Sequence, residues 1–134
     1  MNLKSDGGRA LFHDLVRTSD VVWNNLRGSQ PAKMGLDYDA LKAVKADIVC
    51  THISAYGRDN DRADWPGYDY LMQAECGFLS VTGEPGTPPS RFGLSMIDFM
   101  TGVVPRWVAY RFAGAGTQGG RDVDVSLFDV AFIS

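Results

Sequence analysis

Short strand-like runs alternate with helical patterns along this chain, and this alternation most constrains its fold. Runs rich in β-branched and other apolar residues lie at residues 21–23, 47–53 and 122–127. Apolar residues at helical spacing indicate helices over about 8–17, from 37, from about 69, and over about 99–112. Strands that alternate with helices form parallel sheets covered by helices. The sequence therefore predicts an α/β fold with a parallel sheet.

Both ends of the chain lie close to or inside such elements. The 134 residues have the length of one domain. The chain begins almost directly on a helical pattern, and it stops inside the apolar run at residues 130–133. We therefore expect a single domain over residues 1–134 that is incomplete at both ends. Residues 113–120 are rich in glycine and predict a turn.

Charge and cysteine content narrow the classes of function. The net charge is −3 and the 13 Lys and Arg residues are scattered, which argues against nucleic acid as a partner. No apolar run is long enough for a membrane span or a signal peptide, so we expect a cytoplasmic protein without membrane contact. Cys50 and His52 share one face of a predicted strand. Without a third ligand, they indicate a buried pair rather than a zinc site, so no metal is expected.

Asp98 is a single carboxylate where a Gly- and Pro-rich loop changes into the longest helical pattern. Asp is a favoured N-cap residue, so the local sequence favours a capping role. The second interpretation is a carboxylate nucleophile at a helix N-terminus, where N–H groups and the helix dipole would stabilise an oxyanion. Pro105 lies inside this helical pattern and predicts a bend.

Several segments together resemble the family III CoA-transferases, also called the CaiB/BaiF or formyl-CoA transferase family. The similar segments occur in the family's order and with nearly constant spacing. They are NLRGSQPAKMGLDY at 25–38, ISAYG at 53–57, GYD at 67–69, LSVTGEP at 79–85, IDFMTG at 97–102 and VDVSLFD at 123–129. The resemblance implies an interior piece of the family's large, Rossmann-like domain, with helices on a parallel sheet.

The resemblance implies roles for five residues. Asp98 matches the family's catalytic aspartate, which attacks an acyl-CoA thioester and carries CoA as an aspartyl-CoA thioester until a carboxylate acceptor takes it. Asn25 and Leu26 match residues that line the coenzyme A site. Lys33 stands where an arginine commonly contacts a phosphate, and Tyr68 matches a tyrosine near the thioester. The implied substrates are acyl-CoA and a carboxylic acid, and the full-length protein is expected to form an interlocked homodimer.

Other interpretations stay open at this point. Taken singly, Asn25 fits a turn residue, Lys33 a solvated charge and Tyr68 a packing residue at a helix start. A 2-methylacyl-CoA racemase or epimerase is the alternative enzyme, although that branch has a histidine where this chain has Tyr68. A non-catalytic remnant that binds CoA is the third hypothesis. We also expect the 134-residue piece to be inactive by itself.

Overall fold

A three-stranded parallel sheet forms the centre of the protein. The computed structural model describes residues 1–114 and 119–133. The strands are β1 (Val21–Asn24), β2 (Val49–Ser54) and β3 (Arg121–Ser126), in the order β1-β2-β3. Val49 pairs with Val21 on one side and with Arg121 on the other. The predicted α/β fold with a parallel sheet is confirmed.

Helices connect and flank the strands. They are α1 (Asp6–Arg17), α2 (Gln30–Met34), α3 (Tyr38–Leu41), α4 (Asp69–Glu75), α5 (Phe78–Val81), α6 (Met96–Gly114) and α7 (Leu127–Ile133). The sequence did not predict α2, a single short turn that has Pro31 in its first positions, where proline is tolerated. The backbone is extended at Thr82, directly after α5.

Two hydrophobic clusters cover the sheet. The first joins α1, α3 and β2 through Val16, Leu41, Ile48 and Cys50, all at most 1% exposed. The second joins α4, α6 and α7 through Met72, Ile97, Leu127 and Ala131, with Ile53 of β2 packed against it. Cys50 and Ile53 are three positions apart on one strand and therefore point to opposite faces. Helices thus flank both faces of an open sheet.

Local capping explains where two helices begin. The Ser5 hydroxyl accepts a hydrogen bond from the Gly8 amide at 3.2 Å and caps the start of α1. The Asp37 carboxylate accepts one from the Ala40 amide at 3.2 Å and begins α3. Helix α6 continues on both sides of Pro105. The glycine-rich turn predicted for residues 113–120 includes 115–118, which lie outside the described residues. In the part of the chain described, no helix combines the length and apolarity that crossing a bilayer requires.

Candidate active site

Two loops lie side by side at the carboxyl ends of β1 and β2, where open parallel sheets bind ligands. The Gly28 amide of the first loop donates a hydrogen bond to the Ala63 carbonyl of the second, at 2.9 Å. A Cβ at Gly28 would lie 2.8 Å from the Gly57 carbonyl oxygen, which is too close for any other residue without a shift. A Cβ at Gly67 would similarly overlap Ala55. Glycine therefore permits the close approach of the two loops.

A cleft of about 180 Å³ lies between these loops. It is lined by Asn25 and Leu26 from the loop after β1, and by Trp65 and Tyr68 from the segment before α4. The structure therefore brings together three of the four residues predicted to bind coenzyme A. The Tyr68 side chain is 60% exposed and stacks on Tyr70, with ring centroids 5.8 Å apart. This exposure argues against a core-packing role for Tyr68.

Lys33, the fourth predicted residue, lies on α2 and lines a second cavity of about 540 Å³. Lys4, Arg9 and Asp6 line the same cavity, so it has three positive charges and one negative charge. The Lys33 ammonium donates a hydrogen bond to the Ser29 hydroxyl at 2.9 Å, and Ser29 in turn contacts Asp64. The structure thus places Lys33 outside the cleft of Asn25 but on the helix that follows the same loop.

Asp98 is exposed and lies in the first turn of α6. Because the helix begins at Met96, Asp98 is two residues inside it, and the predicted N-cap role is wrong. Two effects raise the pKa of the Asp98 carboxyl: partial desolvation, which is the larger, and repulsion from the Asp69 carboxylate. A more basic carboxylate is a better nucleophile. Because Asp98 does not cap α6, its carboxylate is not held by such a contact.

The carboxylate that caps α6 belongs to Asp69 of α4, a residue of the GYD segment for which the sequence indicated no role. Asp69 Oδ2 accepts hydrogen bonds from the Ile97 amide at 2.7 Å and from the Asp98 amide at 3.0 Å. Its side chain is buried, with the residue 5% exposed. These two amides are therefore already paired. In this conformation the Ile97 and Asp98 amides are not free to bind an oxyanion.

Gln73, one turn further along α4, completes this contact. Its Nε2 donates to the Asp69 carboxylate and, at 3.3 Å, to the Leu94 carbonyl. Its Oε1 accepts from the Phe92 amide at 2.8 Å. We call Asp69, Gln73 and the backbone groups they bind the α4–α6 junction. Asp69 and Gln73 are four positions apart and therefore share one face of α4, but the sequence does not indicate that this face meets α6.

A second polar cluster crosses the sheet. His52 is 1% exposed and lies between Asn24 Nδ2, at 2.8 Å from its Nδ1, and Asp122 Oδ1, at 2.9 Å from its Nε2. Each of these residues is on a different strand, and we call the three the cross-strand network. Burial raises the pKa of the adjacent Cys50 thiol to about 12. The prediction that Cys50 and His52 are a buried pair is confirmed.

Comparison with known proteins defines the class and then the family. The open parallel α/β sheet, with its cleft at the strand ends, is an architecture common among enzymes. The sequence model described as CoA-transferase family III matches residues 1–134. The chain belongs to CoA-transferase family III.

Individual relatives agree with this assignment. The chain is 37% identical, over 96% of its length, to succinate–glutarate CoA-transferase of Agrobacterium fabrum. It is 32% identical, over 96% of its length, to acetyl-CoA:oxalate CoA-transferase of Acetobacter aceti. The crystal structure of a CaiB/BaiF family protein from Brucella suis superposes with a TM-score of 0.86 at 30% identity, over 98% of this chain. The chain spans 33%, 34% and 35% of these three proteins, respectively.

Proposed function

We propose that this chain provides the nucleophile and part of the coenzyme A site of a CoA-transferase, with Asp98 as the nucleophile. The observation that carries the proposal is the position of Asp98 on the first turn of α6. That turn is bonded to Asp69, the residue next to Tyr68 of the cleft. The relatives' names describe transfer of CoA between carboxylic acids. We propose the same chemistry for the full-length protein that contains this chain, which is called the native protein below.

In the proposed reaction, Asp98 is the only protein group that forms covalent bonds with the substrates. An Asp98 oxygen attacks the acyl carbon, a C–O bond forms, the C–S bond breaks, and the electron pair leaves on the CoA sulfur. The thiolate then attacks the Asp98 carboxyl carbon and expels the donor acid as a carboxylate, leaving an aspartyl-CoA thioester. The acceptor carboxylate repeats both steps in reverse order and restores Asp98. Carboxylates serve as covalent nucleophiles in other enzymes.

We assign the coenzyme A contacts to the cleft at the strand ends and to the second cavity, which α1 and α2 line. Asn25, Leu26 and Tyr68 line the cleft and are assigned to the part of the substrate near the thioester. Lys33 is assigned to a phosphate, which the positive charges of Lys4 and Arg9 in the same cavity also favour. Lys33 contacts such a group as a point charge and lacks the two-pronged geometry of arginine.

The remaining parts of the proposal concern assembly and location. On α6, Phe99, Val103 and Trp107 are 69%, 61% and 71% exposed and repeat at helical spacing. This exposed apolar surface favours contact with further protein, and it supports a homodimer of the native protein. We propose that the native protein acts in the cytoplasm on acyl-CoA and carboxylic acids.

Asp98→Asn in the native protein tests the proposed function. The amide keeps the shape of the side chain and removes its nucleophilic charge, so transfer from acyl-CoA to a carboxylate acceptor should fall by about 10³-fold or more. Asp59→Asn, at an exposed site in the loop after β2, is the matched control and should retain full activity. Full transfer in Asp98→Asn would refute the proposal. Deuterium incorporation at the α-carbon without transfer would identify a racemase instead.

A further inference from the structure

The Asp69 carboxylate makes contacts that only an acceptor on both oxygens can satisfy. Oδ2 receives the amides of Ile97 and Asp98, and Oδ1 receives the side-chain amide of Gln73. An asparagine at this position would turn an NH₂ group either toward the helix amides or toward Gln73 Nε2, and both are donors. This buried contact therefore suits a carboxyl group and not its amide.

The orientation of Gln73 is determined by its neighbours. The Phe92 amide needs an acceptor, so Oε1 faces it, and Nε2 is left to face two acceptors, Asp69 and the Leu94 carbonyl. Gln73 is fully buried. The loop that precedes α6 and the first turn of α6 are thus both attached to α4 by hydrogen bonds.

We propose that Asp69 is a positioning residue, which fixes the Asp98 carboxylate relative to the cleft by anchoring the backbone of the first turn of α6. The inference rests on the proposed function of Asp98 as the nucleophile. Tyr68 and Asp69 are consecutive, so one short segment supplies both a wall of the cleft and the anchor of the reacting carboxylate. A displacement of about 1 Å at a reacting group costs about 10²-fold in rate, which makes such an anchor consequential.

The charge of Asp69 also favours the first chemical step. The positive end of the α6 dipole stabilises the buried Asp69 charge. Asp98 lies on the same turn, and its ionised form is repelled by Asp69. When the Asp98 oxygen forms the new C–O bond, its negative charge leaves on the CoA sulfur and that repulsion is relieved. Asp69 therefore raises the free energy of the ionised reactant relative to the acylated aspartate.

The decisive variant is Asp69→Asn in the native protein. We expect kcat for CoA transfer to fall by about 10- to 100-fold, with KM for acyl-CoA changed by less than about twofold, because the cleft is unaltered. The acidic limb of the kcat–pH profile should move to lower pH, since removing the Asp69 charge lowers the pKa of Asp98. A purely structural role would reduce activity without moving this limb.

Two further variants control for general damage. Asp69→Glu keeps the charge, so it should leave the acidic limb in place and recover part of the activity lost in Asp69→Asn. Glu75→Gln removes a carboxylate from the same helix, where it binds the Tyr56 hydroxyl at 2.8 Å, and it should change neither kcat nor the pH profile.

Hydrogen–deuterium exchange gives a measurement that does not depend on activity. The first amides of a helix ordinarily lack acceptors and exchange rapidly. Those of Ile97 and Asp98 should instead be protected in the native protein and lose protection in Asp69→Asn, but not in Glu75→Gln. Rapid exchange in the unmodified protein would overturn the inference even if Asp69→Asn failed to fold.

The two proposals fail in different ways. Full transfer in Asp98→Asn overturns the proposed function, while protected amides at residues 97 and 98 would still show the anchor. Loss of transfer in Asp98→Asn, combined with wild-type kcat and an unmoved acidic limb in Asp69→Asn, overturns the positioning role alone.

Discussion

The cross-strand network and the α4–α6 junction each contain a partly or fully buried aspartate, but the partners of the two carboxylates differ. Asp122 receives hydrogen bonds from His52 and the Tyr38 amide and forms an ion pair with Arg58 at 3.1 Å. Among the described residues, Asp69 forms no ion pair, and its partners are two backbone amides and an uncharged side chain. The positive charge of Arg58 therefore balances that of Asp122, whereas the charge of Asp69 has no such partner in the described part of the chain and repels the Asp98 carboxylate.

The two regions also differ in the direction of their pKa shifts, which relates the cross-strand network to stability and the junction to the proposed function. Burial by itself would raise the pKa of Asp122, but the bonds from His52, the Tyr38 amide and Arg58 together lower it. At the junction, desolvation and the neighbouring charge raise the pKa of Asp98. A raised carboxyl pKa makes the folded state less stable at neutral pH. Such shifts cluster at functional sites, where the chemistry requires them.

The largest effect on stability is expected for Gln73→Met in the native protein. Methionine has a similar volume, but it leaves the Phe92 amide and one Asp69 oxygen without their present partner. We expect the free energy of unfolding to fall by about 2–4 kcal/mol, measured by urea denaturation. The same substitution at Gln30, a partly exposed residue of α2, should change it by less than about 0.5 kcal/mol. Equal effects at both sites would show that the junction does not stabilise the fold.

A smaller effect is expected for Asp122→Asn in the cross-strand network. The folded-state pKa of Asp122 is lowered, so its charge stabilises the fold fully above the unfolded carboxyl pKa of about 4 and loses this effect as pH falls through the folded pKa. The variant should lose about 1–2 kcal/mol at pH 7. Its stability should approach that of the unmodified protein in strong acid.

The neighbouring carboxylate provides the control for this prediction. Asp124 lies on the same strand and also contacts Arg58, but the His52 ring donates its hydrogen bond to Asp122. Asp124→Asn should therefore cost less than Asp122→Asn at pH 7. A pH-independent difference between Asp122→Asn and the unmodified protein would contradict the assigned role of the Asp122 charge.

The smallest effect, of opposite sign, is expected for Asp98→Asn. Because the pKa of Asp98 is raised in the folded state, its ionised form opposes folding at neutral pH, and this opposition disappears as pH falls below the unfolded pKa. The variant should be slightly more stable at pH 7, by less than about 0.5 kcal/mol, because solvent screens an exposed carboxylate. Thermal unfolding at pH 7 and at pH 4 measures this, with Asp59→Asn as the reference. A lower Tm for Asp98→Asn at pH 7 would contradict the assignment.

The same two regions show how far the sequence predicts the structure. The strands and α1 follow from short-range patterns, with bounds within about two residues, because apolar periodicity and capping are local. The resemblance led to Asn25, Leu26 and Tyr68, which share one cleft. The start of α6 at Met96 was missed, since its cap comes from Asp69, 29 residues before Asp98 in the sequence. A single sequence does not reveal such a contact between distant residues.

Trapping of an acyl-aspartyl intermediate tests the central claim most directly. The native protein would be incubated with acyl-CoA and hydroxylamine, and peptides that contain Asp98 would be examined by mass spectrometry. The account predicts a hydroxamate at Asp98, heavier by one NH group than the acid, which forms only when both reagents are present. Catalytic turnover without this product, or a hydroxamate on a different carboxylate, would contradict the account.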